Sequence, residues 1–268
     1  MEFISRHLAA VDGIYWRGDH TFQAASRIRS ADGRKDFAAV YSIMNEWSQI
    51  VGQWAVGDTS FDQYACGLSD VLKRYDELGF QPPEFMWVDN SRCVANQLLK
   101  AIPSLSKVLE DATHVLRRIF ELIPDAHTSK GRRKLTRAEV DAKPQSYWRA
   151  RCRHIIPQPE ELVAGVEPVV AKYLPSICGI NQDPLIMEEV RAAHERQVQL
   201  MQEGCLSDPL RVDAMYILVS APDAMPPYIG IRGCSSLEGY HRHLNALLGG
   251  GNYSPELAGA LIALFNYR

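Results

Sequence analysis

Ile14-Tyr15-Trp16-Arg17-Gly18-Asp19-His20-Thr21-Phe22 sets one carboxylate in the middle of an apolar, aromatic run. Aromatic and β-branched residues dominate it and it is too short for a helix, so it reads as a buried strand. A carboxylate inside such a strand is costly unless a cation or strong donors compensate it. The pattern returns at Phe85-Met86-Trp87-Val88-Asp89-Asn90, where Asp89 closes a second apolar strand. Two carboxylates at the ends of two core strands point to one metal site.

The chain around these runs reads as a mixed α/β sheet. Residues 1–13 form a lead-in, and the Asp19 strand continues toward Ile28. Asp32-Gly33 marks a turn into a second, antiparallel strand over 37–44, and Asn45-Glu46-Trp47-Ser48 a turn into a third over 49–56. Ser60 and Gln63 suggest a capping box for a helix whose apolar stripe is Tyr64, Leu68, Val71, Leu72 and Tyr75, with Gly79 as its stop. The Asp89 strand follows, then a helix over 92–101, a strand over 105–109 and a helix over 112–123. The Asp19 strand is expected in the centre of the sheet, beside the Asp89 strand. Residues 156–228 carry helical patterns with proline and glycine stops, which suggests an all-helical insertion. The expected organisation is a core over 1–155 ending in a basic segment, the insertion over 156–228, and completing helices over 229–268. Of those helices, one holds Leu237, Glu238, His241, Leu244 and Leu248, and another begins at Ser254-Pro255-Glu256.

Composition narrows the function. Hydrophobic and charged fractions of 46% and 23% are those of an ordinary globular chain. No apolar run approaches the ~20 residues that span a bilayer, so no membrane role is expected. The six cysteines (66, 93, 152, 178, 205 and 234) form no C-x-x-C pair, which favours a reducing compartment, nuclear or cytoplasmic. Net charge is −3, yet residues 129–154 hold nine Lys and Arg against Glu139 and Asp141. That block is net +7 and leaves −10 on the rest of the chain. With Tyr147 and Trp148 inside it, the block is either a phosphate-binding strip or a solvated loop.

Gly18-Asp19-His20-Thr21-Phe22, Trp87-Val88-Asp89-Asn90, Asp111-Ala112-Thr113-His114 and Arg232-Gly233-Cys234-Ser235-Ser236-Leu237-Glu238-Gly239-Tyr240-His241 together carry a resemblance. In order and spacing the chain resembles the DDE-type DNA transposases, a branch of the ribonuclease H-like superfamily. The resemblance implies a ribonuclease H-like mixed sheet with a helical insertion, and Asp19, Asp89 and Glu238 as catalytic, metal-binding residues. It also implies two Mg²⁺ or Mn²⁺ ions ~3.5–4 Å apart, serving the attacking and leaving oxygens of a phosphodiester. Asp19 would bridge both ions, with Asp89 and Glu238 each holding one side. Asp111 and His114, three apart on a helix, would support the site from behind. Arg117, Arg118, Lys130, Arg132, Arg133, Lys134, Arg149, Arg151, Arg153 and Arg232 would contact DNA phosphates. His241 either flanks the site or faces solvent, with solvent the preferred expectation.

The expected activity is metal-dependent hydrolysis of a DNA strand followed by strand transfer, by a homodimer or a higher oligomer. Members of this family carry a DNA-recognition module upstream, and the short lead-in here leaves no room for one. A truncated or domesticated transposase is therefore expected. The alternative is a domesticated, non-catalytic DNA- or protein-binding module that keeps the fold. A 3′–5′ exonuclease fits less well, because Asp19-His20-Thr21 lacks the Asp-x-Glu pair. A small-molecule enzyme lacks both a glycine-rich phosphate loop and a serine elbow.

Overall fold

The computed structural model describes residues 2–111, 153, 156–177, 184, 186–219 and 228–267. The chain divides into two compact units, one made of Met1–Asp111 with Gly233–Arg268 and the other of Ala112–Arg232. The sequence boundaries at 155 and 228 compare with a division at 111 and 232.

The first unit holds a mixed five-stranded sheet. Its strands are β1 (Tyr15–Thr21), β2 (Ala39–Met44), β3 (Ile50–Val56), β4 (Phe85–Val88) and β5 (Lys107–Glu110), in the order β3-β2-β1-β4-β5. β1 pairs antiparallel with β2 and parallel with β4, so the Asp19 strand is central and beside the Asp89 strand, as expected. β2 pairs antiparallel with β3, and β4 parallel with β5. The β2–β3 turn forms because the Asn45 side-chain oxygen accepts the backbone N–H groups of Trp47 and Gln49, while Ser48 takes a left-handed φ of 64°.

Both faces of the sheet are covered. β2 shows it best, since all six of its residues are buried. On one face Trp16, Tyr41, Ile43 and Met86 pack with α3 (Asp62–Leu78) and α4 (Ser91–Ala101) through Tyr64, Leu68, Tyr75 and Leu98. On the other face Val40 packs with α2 (Phe22–Ala25), α7 (Ser235–Leu247) and α8 (Pro255–Tyr267) through Ala24, Ala25, Leu244, Leu248 and Ala258. The alternation of Val40 and Tyr41 between these clusters is the period of two that a strand imposes.

Three expectations for this unit need correction. β1 stops at Thr21 rather than running toward Ile28. Gln23-Ala24-Ala25 favours a helical turn over a strand, and both alanines are fully buried against the second cluster. The lead-in contains a helix, α1 (Glu2–Ala9), whose His7 ring meets Tyr267 edge-on at 5.1 Å. α3 is capped at Phe61, not by a Ser60–Gln63 box; the Gln63 side chain instead accepts the Gly57 N–H at 3.0 Å. Gly79 ends this helix with a left-handed φ of 67°, as its position suggests.

The second unit contains α5 (Pro159–Tyr173), α6 (Glu188–Gln202) and a two-stranded antiparallel ribbon of β6 (Tyr216–Leu218) and β7 (Tyr228–Gly230). Met201 and Leu206 pack on Leu162, Val163 and Val166. The ribbon overturns the expectation of an insertion without strands. Tyr216-Ile217-Leu218 is aromatic and β-branched, and fully buried Met215 accepts the Ile231 N–H on its carbonyl, which closes the ribbon's base. Among the described residues, no helix is long and apolar enough to cross a membrane. The helix expected over 112–123 lies outside the described residues.

Candidate functional site

The site grows from the polar face of β1. Trp16 and His20 face α3, where they meet Tyr75 and Tyr64. Arg17, Asp19 and Thr21 face the other way and are all buried. Each of these three finds its partner on α7: Arg17 donates to the Ser236 hydroxyl, Asp19 Oδ2 lies 3.3 Å from His241 Nδ1, and Thr21 Oγ1 donates to Asn245 Oδ1 at 3.2 Å. Two residues of strand advance about 6.6 Å and four to five residues of helix about 6–7.5 Å, so the two elements stay in step.

Asp89 joins from the neighbouring strand. The β1–β4 register pairs Gly18 with Val88, and one step further brings Asp19 beside Asp89 at the C-terminal ends of both strands. Asp89 is one of the groups that hold the Asp19 carboxyl down. Neighbouring carboxyl groups disfavour each other's ionisation unless a proton or a cation lies between them. Burial pushes the Asp19 carboxyl up, but His241, the hydrogen bond with Asp89 and the His20 N–H at 2.7 Å outweigh it and hold the group below its ordinary range. Asp19 is therefore the group around which the others are arranged.

The next strand supplies supports rather than ligands. Glu110, at the end of β5, accepts the Ser91 N–H at 2.7 Å and so caps α4 immediately after Asp89. Asp111 accepts the Cys234 N–H at 2.6 Å and caps α7. The close approach requires Gly233, which has a φ of 69°; a Cβ there would sit 3.3 Å from the Asp111 carboxylate. Negative charge near the first N–H groups of a helix is favourable. Cys234 wedges between β1 and β4, with Sγ 3.9 Å from the Gly18 carbonyl and 3.8 Å from the Trp87 carbonyl. Burial pushes its thiol well up, and Asp111, Asp19 and Asp89 add to the effect. This thiol is packed, not reactive.

His241 corrects the expectation of a solvent-facing side chain: it is buried, and its Nε2 lies 3.2 Å from Ser42 Oγ. Leu237, His241 and Leu244 are the buried residues of α7, and their spacing of four and three is an inward stripe. Glu238 stands one position off that stripe and is exposed. Among the described residues no three His, Cys, Asp or Glu side chains form a group able to hold a metal, so Glu238 does not join Asp19 and Asp89 as a ligand set here.

No family model matches the chain, and no curated protein matches it. The function is therefore argued from the residues themselves. Asp19 and Asp89 come together and Asp111 lies close by, while Glu238 stays outside. Two of the expected phosphate contacts are committed elsewhere in the second unit. Arg232 binds Asp208 through two contacts of 2.8 Å and donates to the Tyr216 hydroxyl at 2.7 Å; Arg153 pairs with Asp213 at 2.5 Å. His114, Arg117, Arg118, Lys130, Arg132, Arg133, Lys134, Arg149 and Arg151 lie outside the described residues. The sequence reading missed Arg17, Ser42 and Glu110. The alternation of polar residues at 17, 19 and 21 was the available signal for Arg17.

Proposed function

We propose that this chain is a DDE transposase-like core with a ribonuclease H-like fold, which cleaves DNA phosphodiesters with the help of a divalent cation. The observation that carries the reading is the meeting of Asp19 and Asp89. They are two hard oxygen donors at the C-terminal ends of adjacent parallel strands, with Asp19 buried and its carboxyl held below its ordinary range. The pair fits Mg²⁺ or Mn²⁺, since Mg²⁺ commonly takes one or two carboxylates and completes its shell with water and substrate phosphate. Held there, the cation would polarise a phosphoryl oxygen and help to deprotonate an attacking water or 3′-hydroxyl.

The remaining roles fall to the chain. Asp19 and Asp89 fix the charge at the ends of the two strands, and α7 lies over Asp19. The reading calls for a third carboxylate, and its candidate, Glu238, is exposed on α7 and does not meet Asp19 and Asp89 here. Hydrolysis adds water across a P–O3′ bond and leaves a 5′-phosphate and a 3′-hydroxyl; attack by that hydroxyl on a second phosphodiester would complete strand transfer. The basic block at 129–154 would supply the sequence-independent contacts to DNA.

Calorimetric titration of Mn²⁺ into the wild-type chain and Asp19→Ala, beside a DNA-nicking assay, tests the proposal. Saturable binding and nicking that are both lost in Asp19→Ala support it. The exposure of Glu238 favours a second reading, a domesticated module that binds DNA or protein without cleaving. Absence of Mn²⁺ uptake and of nicking in the wild type would make that second reading the answer.

A further inference from the structure

The buried His241 imidazole sits at the end of a partly buried chain of hydrogen bonds. The Gln53 amide N–H₂ donates to Ser42 Oγ at 2.8 Å and to the Tyr240 hydroxyl at 3.0 Å. Tyr240 in turn donates to Asn266 Oδ1 at 2.6 Å, and Asn266 Nδ2 returns a hydrogen bond to Gln53 Oε1 at 3.2 Å. Ser42 Oγ lies 3.2 Å from His241 Nε2, where the hydroxyl can either give or take a hydrogen. An ionised carboxylate only accepts, so Nδ1, which faces Asp19 Oδ2 at 3.3 Å, carries the hydrogen of that contact. The other Asp19 oxygen takes the His20 N–H, so both oxygens are directed.

We infer that His241 is a positioning residue, whose Nδ1–H, on a ring held at Nε2 by Ser42, fixes the Asp19 carboxylate in the orientation that receives a divalent cation. This rests on the reading of Asp19 and Asp89 given under Proposed function. Ligating carboxylates are themselves held by hydrogen bonds, and loss of such a support weakens metal binding by about 10- to 100-fold. The chain crosses β3, β2, β1, α7 and α8, so it ties the carboxylate to the whole of the first unit and not to a loop.

The two amide replacements of histidine separate this role from space filling. Asn reproduces the reach of Nδ1, whereas Gln reproduces that of Nε2. Mn²⁺ calorimetry on the full chain should find His241→Asn within about threefold of wild type and His241→Gln weaker by about tenfold or more. A simple packing role predicts the opposite order, because Gln fills more of the volume; that order, or equal affinities in all three proteins, would overturn the inference. A metal-free double-mutant cycle between Asp19→Asn and His241→Gln, read from unfolding in EDTA, tests the contact independently of the cation. Coupling of about fivefold or more in the unfolding constant supports the contact, and additivity rejects it. Should the wild type take up no Mn²⁺, the cation reading falls, and with it the cation-receiving role of His241.

Discussion

Asp111 Oδ2 accepts the backbone N–H of Cys234 at 2.6 Å, joining the residue after β5 to the start of α7 across 123 positions of chain. The bond brings the late helix to the C-terminal ends of β1 and β4, where Asp19 and Asp89 meet. Asp111 is 2% exposed, so water cannot replace it as the acceptor.

Asp111→Ala leaves the Cys234 N–H buried without its acceptor. Unfolding by urea should show a loss of about 2–3 kcal/mol, since hydrogen bonds to charged groups and orphaned buried donors each cost of this order. Asp111→Asn keeps an acceptor oxygen and should recover about half of the loss. Equal stability of all three proteins would deny the cap its role.

Gly18→Ala tests the tightness of the sheet beside Asp19. A Cβ at this position would collide with the Tyr41 hydroxyl and lie 2.7 Å from the Met86 methyl. Tyr41 is 2% exposed and Met86 fully buried, so neither can swing away. Replacing glycine usually helps a strand, but overpacking should win here and destabilise by about 1–3 kcal/mol, read as a lower melting temperature.

Acid should act on Asp19 in a defined direction. Its carboxyl is held below its ordinary range when folded, so between that lowered value and about 4 the unfolded chain binds more protons than the folded one. The stability this group contributes is present above pH ~4 and is lost as pH falls through the folded value. Unfolding in EDTA should therefore show wild type losing stability faster than Asp19→Asn below pH ~4. Parallel profiles would mean that Asp19 is not held ionised by its neighbours.

In the second unit, Arg232→Lys should behave almost as badly as Arg232→Ala. Lysine cannot reproduce two parallel contacts to Asp208 together with the hydroxyl of Tyr216. Asp208 has a side chain only 6% exposed, and stripping its partner should cost about 3 kcal/mol. A phosphate-binding arginine would instead tolerate lysine in stability and lose only salt-dependent DNA affinity, which a filter-binding titration across salt would detect.

The legible part of the sequence was the part governed by local period. β1 and β4 follow from short aromatic and apolar runs, and α3 and α7 from apolar residues at spacings of three and four, although His241 in the inward stripe of α7 was expected outside. The meeting of Asp19 and Asp89 was readable because each ends an apolar strand and parallel neighbours align their ends. Contacts set by distant chain were not readable. Nothing near Glu110 announces that it caps α4, nor does anything near His241 reveal Asp19 and Ser42 as its partners. Glu238 shows the limit most clearly: its motif is intact in sequence, and a single step around the helix leaves it exposed. β6 was missed because three strand-forming residues are too few to outweigh the helical spacing around them.

Arg17, Asp19 and Thr21 have a further consequence, in the timing of synthesis. Their partners on α7 come more than two hundred residues later; Ser236 follows Arg17 by 219 positions. At about 5–20 residues per second, a ribosome takes roughly 10–40 s to cover that distance. For this interval the nascent sheet would carry a face with a cation, a carboxylate and a hydroxyl but no lid. Unit Ala112–Arg232 emerges whole in the meantime, so the chain would finish its second unit before its first.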